Sequence, residues 1–176
     1  MGLDAIKAAL PGYAADITLN LGSIATTTAL NPVQAWGTAL AGAVAARNPM
    51  VLREIAAEAS GHLTPEGIEA AKAAAATMAM TNVYHRATHL IGDERYASMP
   101  ARLRMRIVAR PGVHKGDVKL WCLGVSAIIG CGACLESHET ALRGLGFTRE
   151  QVLEALRISA VVHAAAVTLD AEAALA

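Results

Sequence analysis

The 176-residue sequence predicts an all-α fold. Three features carry that reading. Apolar residues make up 54% of the chain and aromatics only 3%, with alanine dominant, which suits closely packed helices. β-branched residues rarely cluster into the runs a strand needs. Helix-start signals recur at Asn31-Pro32, Asn48-Pro49, Thr64-Pro65-Glu66 and Thr148-Arg149-Glu150-Gln151, each pairing a side-chain cap with a helix-compatible first turn.

Leu3 to Leu10 reads as a short helix stopped by Pro11. Asp16 to Ile24 follows, with Ile17, Leu21 and Ile24 at helical spacing. The helix opened by Asn31-Pro32 runs through Trp36, Leu40 and Val44 to about Arg47. Asn48-Pro49 restarts a helix that ends near Ser60-Gly61, and Thr64-Pro65-Glu66 opens another reaching towards Leu90. Gly92 to Met99 reads as a polar connection, and Pro100 as the start of a short helix over 101–109 with Leu103 and Ile107 inward. After the turn Arg110-Pro111-Gly112, Lys115 to Ile129 is apolar almost all round and so belongs in the interior. A further helix ends at Gly144-Leu145-Gly146, and the last long one runs from Thr148 towards Ala174.

The two halves resemble each other. Trp36 and Trp121 stand 85 positions apart, and Thr64 and Thr148 stand 84 apart. Between these anchors each half reads as apolar helix, break, shorter helix, capped apolar helix. The reading is one domain over 1–176 with an internal repeat at about 31–90 and 115–175. An offset of 85 matches Cys131, Cys134 and His138 to Ala46, Pro49 and Arg53, so only the second copy carries chemistry.

Formal net charge is zero, from 15 basic and 15 acidic residues, and no long basic run supports nucleic-acid binding. No uninterrupted apolar stretch of about 18 residues predicts a membrane span. The opening residues Met1-Gly2-Leu3-Asp4 lack a signal-peptide pattern. A cytoplasmic location is expected, where a close cysteine pair serves redox or metal chemistry more often than permanent cross-linking.

That pair is Cys131 and Cys134, in Gly130-Cys131-Gly132-Ala133-Cys134-Leu135-Glu136-Ser137-His138. On a helix the two sulfurs share a face one turn apart, with Cα atoms roughly 5–6 Å from each other, inside disulfide reach. His138 lies one further turn along the same face, where an imidazole can take the thiol proton of Cys134. A structural zinc site would need a second close ligand pair, and none is present, so a cycling dithiol is the stronger reading. Which cysteine attacks is left open by the spacing. The helix start favours a thiolate at Cys131, and the histidine favours Cys134.

The remaining reactive side chains have simpler readings. Cys122 lies on the apolar helix and belongs to the core. His85 and His89 form a polar face at i, i+4 spacing. His163, among alanines and valines, reads as a core or interface residue. Arg102, Arg104, Arg106 and Arg110 read as a solvated or subunit-contact face. Trp36 and Trp121 read as core anchors.

The stretch Ser126-Ala127-Ile128-Ile129-Gly130-Cys131-Gly132-Ala133-Cys134-Leu135-Glu136-Ser137-His138-Glu139 resembles the active-site motif of the alkyl hydroperoxide reductase D (AhpD) family, in the carboxymuconolactone decarboxylase-like superfamily. Leu10-Pro11-Gly12-Tyr13-Ala14-Ala15-Asp16-Ile17, Asn20-Leu21, Trp36-Gly37-Thr38, Leu103-Arg104-Met105 and Pro111-Gly112-Val113 extend the likeness over nearly the whole chain. The resemblance implies an all-helical AhpD-like domain, a homotrimer and an antioxidant peroxidase with no bound cofactor. In that family the second motif cysteine attacks an organic hydroperoxide and the first resolves the sulfenic acid as a disulfide. Carried over, Cys134 is peroxidatic, Cys131 resolves, and His138 helps deprotonate the thiol. Electrons would come from a lipoylated dehydrogenase component (dihydrolipoamide) and its flavoprotein, and the peroxiredoxin AhpC would be a partner.

The sequence departs from the family pattern in three places. Lys119 stands where the family carries a relay glutamate, Ile129 where it carries asparagine, and Ala133 where it often carries histidine. A charged lysine cannot accept a proton, but it can favour a thiolate electrostatically. Asp117 and Glu136 are the nearby carboxylates that could stand in, with Glu136 off the Cys134–His138 face. The expected catalytic set is therefore Cys134, Cys131, His138 and Lys119. The altered relay raises a second reading, a dithiol electron carrier for a peroxiredoxin that does not itself reduce peroxide. Lactone chemistry of the wider superfamily is weaker, since it needs no cysteine pair.

Overall fold

The structure is a computed structural model that describes residues 2–109 and 111–176, the side chains of Ala97 and Ile107 excepted. The first helices are α1 (Leu3–Ala9), α2 (Ala15–Thr26), α3 (Pro32–Ala46), α4 (Pro49–Ala59) and α5 (Pro65–Ile91). They continue as α6 (Glu94–Ser98), α7 (Arg106–Ala109), α8 (Lys115–Ile129), α9 (Gly132–Gly144) and α10 (Arg149–Leu175). A single 3-10 turn, Gly12–Ala14, precedes α2, and no strand occurs among the described residues.

The caps explain the boundaries. Asn31 accepts the Gln34 N–H while Gln34 returns a bond to the Asn31 N–H, a reciprocal capping box that opens α3. Thr148 and Gln151 repeat the device at α10. Asn48 and Thr64 cap α4 and α5 through the N–H groups of Val51 and Gly67, each with proline at the first helical position.

α8 forms the centre, packed against α3, α5, α9 and α10. Its residues from Gly116 to Ser126 are buried except Lys119. The Trp121 ring lies directly on Gly37 of α3, where an added Cβ would come 2.2 Å from the indole. Overpacking there would cost about 1–3 kcal/mol or more. Trp36 is buried as well, and His62 stacks on it at a centroid distance of 5.0 Å. α10 is long and apolar enough to cross a membrane by length and composition, yet more than half of its most apolar window is buried within the protein.

Two local expectations fail. The connection after α5 contains a one-turn helix, α6, because Asp93 caps the Arg95 N–H and grips its guanidinium. The helix expected over 101–109 is confined to α7. Residues 101–105 form no helix, and Arg102 sits at φ 53°, a left-handed position that a right-handed helix cannot contain. The inward placement expected for Ile107, and Arg110 of the basic cluster, lie outside the described residues. Arg102, Arg104 and Arg106 are exposed.

The succession α3–α4–α5 has helices of 15, 11 and 27 residues, and α8–α9–α10 has 15, 13 and 27. Helix starts pair Pro32 with Lys115, Pro49 with Gly132 and Pro65 with Arg149, offsets of 83, 83 and 84. The tryptophan spacing of 85 differs from these offsets by one or two residues. By helix starts, Cys131 corresponds to Asn48, Cys134 to Val51 and His138 to Ile55.

Candidate active site

The dithiol sits where α8 hands over to α9. Gly130 closes α8 at φ 75°, a left-handed position that favours glycine, and its N–H returns to the Ser126 and Ala127 carbonyls. Arg86 of α5 donates to the Ile129 carbonyl at 2.6 Å, fixing the end of α8 from outside. Cys131 then takes the cap position of α9, and its sulfur accepts the Cys134 N–H at 3.3 Å. The two cysteines are joined as a disulfide with Cα atoms 5.3 Å apart, inside the distance expected from helical spacing.

The two sulfurs are not equivalent. Cys131 is fully buried at 0% exposure, whereas Cys134 is 7% exposed and lines a cleft of about 520 Å³. Helices α5, α8 and α9 form the floor, with Met78, Asn82, Lys119, Ala133 and His138 alongside Cys134. The segment after α5 covers it with Tyr96, Met99, Met105 and Val108, an apolar roof over a polar floor.

His138 lies on the cleft wall with Nε2 3.3 Å from the Met78 sulfur, and its Nδ1 is buried without a hydrogen-bond partner. Burial first, and the neighbouring Lys119 cation second, push its pKa down to about 4. The imidazole is therefore neutral at physiological pH: one ring nitrogen keeps a lone pair, burial makes it a weaker base than a free histidine, and it cannot stabilise a thiolate by charge. Lys119 is half-buried and lines the same cleft. Its cation opposes protonation of the imidazole.

Apart from His85 and His89, the other sequence candidates fall elsewhere. Asp117 is held at the start of α8 by Gln34 at 3.0 Å and His114 at 3.4 Å. Neither Asp117 nor the exposed Glu136 is part of the cleft lining, so neither replaces the missing glutamate. Cys122 is buried in the core, and burial pushes its thiol up to about 12, which keeps it unreactive. His85 and His89 sit on the cleft wall. His163 is exposed, not a core residue, because the buried stripe of α10 runs through Val161, Val162, Ala165 and Ala166 and turns position 163 outward. Among the described residues no three metal-ligating side chains converge.

The chain has relatives among known proteins. It is 53% identical over 176 residues to an alkyl hydroperoxide reductase AhpD of Streptomyces coelicolor, covering 100% of this chain and 99% of that one. The chain belongs to the AhpD family. AhpD proteins of Rhodospirillum centenum (53% over 175 residues, 99% of this chain and 94% of the relative) and Hyphomonas neptunium (54% over 176 residues, 100% and 98%) agree. Residues 94–176, from α6 to the end, also match the carboxymuconolactone decarboxylase family.

Sequence reasoning missed part of this AhpD-family site. Met78 and Asn82 come from α5, one turn apart, and Ser126 from α8. The Ser126 hydroxyl bonds the Cys122 carbonyl at 2.8 Å and lies 3.2 Å from the Asn82 amide oxygen. The amide nitrogen of Asn82 is buried with no partner. Their i, i+4 spacing on α5 was visible, but only the packing of α5 on α8 and α9 brings them to the dithiol.

Proposed function

We propose that this chain is a thiol peroxidase that reduces organic hydroperoxides to alcohols through Cys134 and Cys131. The observation that carries the reading is the asymmetry of the pair: Cys134 opens on a cleft containing a neutral imidazole, while its partner sulfur is sealed. The names of the relatives, alkyl hydroperoxide reductases, support the same activity.

The steps follow from the reduced pair. His138 takes the Cys134 thiol proton. The thiolate attacks the terminal peroxide oxygen, the S–O bond forms as the O–O bond breaks, and the alkoxide leaves with the proton from His138. The Cys131 thiol then attacks the sulfenic sulfur, and hydroxide departs with the Cys131 proton as water. The two sulfurs have supplied two electrons. An external dithiol restores them by attacking the accessible Cys134 sulfur, and Cys131 leaves as a thiolate held by the Cys134 N–H. A lipoylated protein fits that reductant chemistry. AhpC as a redox partner and a homotrimeric assembly belong to the same proposal, as does descent from a duplicated helical unit.

Titrating free thiols before and after one equivalent of an alkyl hydroperoxide tests the cycle: two thiols per chain should vanish, with Cys122 spared. A chain that keeps all its thiols refutes it. Lys119 favours the second reading, a carrier that needs a peroxiredoxin to consume peroxide, because no carboxylate completes a relay to His138. Steady-state turnover of an alkyl hydroperoxide with a dihydrolipoyl donor separates the two, since a pure carrier shows none until a peroxiredoxin is added. Lys119→Glu should raise that turnover about tenfold, by roughly 1.4 kcal/mol in the barrier, if the missing relay limits it.

A further inference from the structure

The contact between His138 and Met78 is not used in the cycle above. The imidazole presents Nε2 to the Met78 sulfur at 3.3 Å and leaves Nδ1 buried with no partner. A neutral imidazole has one N–H and one lone pair, and which nitrogen holds the proton is decided by what the ring faces. A thioether sulfur has no proton to give and can only accept. Nε2 facing it with a lone pair would be repelled, whereas an N–H there is attracted.

Two hydroxyls also lie 3.8 Å from that sulfur, those of Ser126 and Thr81. Each has one proton and a better acceptor at hand: the Cys122 carbonyl at 2.8 Å for Ser126, and the Thr77 carbonyl at 3.0 Å for Thr81. The sulfur is therefore left to the imidazole.

We propose that Met78 is a positioning residue: its thioether accepts the His138 Nε2–H and so holds the ring in the tautomer whose Nδ1 lone pair receives the Cys134 proton. This rests on the reading of His138 as the base for Cys134. In that tautomer Nδ1, buried and with no hydrogen-bond partner, keeps its lone pair free.

The test uses the full chain, reduced, with 15N-labelled histidine at pH 7. The 15N resonances of His138 should show Nε2 protonated and Nδ1 bare. Met78→Leu keeps volume and apolarity but removes the acceptor. It should melt close to wild type, show mixed tautomers, and slow alkylation of Cys134 by iodoacetamide about tenfold. Met78→Gln restores an acceptor on an unbranched side chain, and should recover the Nε2–H tautomer and most of the rate. A wild-type ring protonated at Nδ1 overturns the proposal. So does Met78→Leu with tautomer and rate unchanged, or Met78→Gln behaving like Met78→Leu. None of these readouts uses hydroperoxide. A chain that passes them yet consumes no peroxide refutes the peroxidase reading and leaves the positioning role standing.

Discussion

The joint between α3 and α4 and the joint between α8 and α9 are built alike and do different work. Each first helix ends on a left-handed residue, Arg47 at φ 66° or Gly130 at φ 75°. Each second helix is capped by a side chain that accepts the N–H three residues on, Asn48 from Val51 and Cys131 from Cys134. At the first joint the next residues on that face, Val51 and Ile55, are fully buried hydrocarbon in the core. At the second they are Cys134 and His138, and the face lines a cleft. At the second joint the capping oxygen is exchanged for sulfur and the face behind it is left open. Asn48 has a further bond that Cys131 cannot copy, from its amide to Asp170 at 2.8 Å, and this ties the first joint to α10.

Making the second joint a copy of the first should break function in graded steps. Cys131→Asn with Cys134→Val keeps a capping oxygen and an apolar helix face. Hydroperoxide turnover should fall to background while circular dichroism shows the helical fold intact. His138→Ile retains both thiols and removes the base, so Cys134 alkylation should slow by about 10²- to 10⁴-fold.

The next effect is on stability. His138 has a folded pKa of about 4, below the ordinary value of 6.5, because burial and Lys119 oppose its charge. Between those values the unfolded chain binds the proton and the folded chain does not, so stability falls as pH drops from 6.5 to 4. The loss is on the order of 3 kcal/mol, and His138→Gln should remove that part of the urea-melt pH dependence. Above pH 5 the reactivity of Cys134 should show no inflection from His138. The smallest effect belongs to the first joint, where Asn48→Ala should cost about 1–2 kcal/mol of stability with hydroperoxide turnover unchanged.

The comparison also shows what could be read before folding. The long helices were legible because their starts are written in caps: Asn31, Asn48, Thr64 and Thr148 place four of them to within a residue or two. Where the signal was proline alone, at Pro100, the left-handed Arg102 keeps the helix from starting before α7. The dithiol and His138 were legible because all three share one helix face. Lys119 emerged only from the family resemblance. Met78 and Asn82 were illegible, being single sulfur-bearing or polar positions in an apolar helix, 44 to 60 residues from their contacts in α8 and α9, and Ser126, though it opens the motif, gave no sign of its contact with Asn82. The difference between the tryptophan spacing and the helix-start offsets has a similar cause. Tryptophans fill core space wherever it is available, whereas caps mark the register.

The central claim is that Cys134, not Cys131, meets the peroxide. A Cys131→Ser chain, treated with one equivalent of an alkyl hydroperoxide in the presence of a sulfenic-acid trap, tests it by mass spectrometry of the resulting peptides. The account predicts a trapped adduct on Cys134, and none on Cys131 when the complementary Cys134→Ser chain is treated alike. An adduct on Cys131, or on neither cysteine, would contradict it.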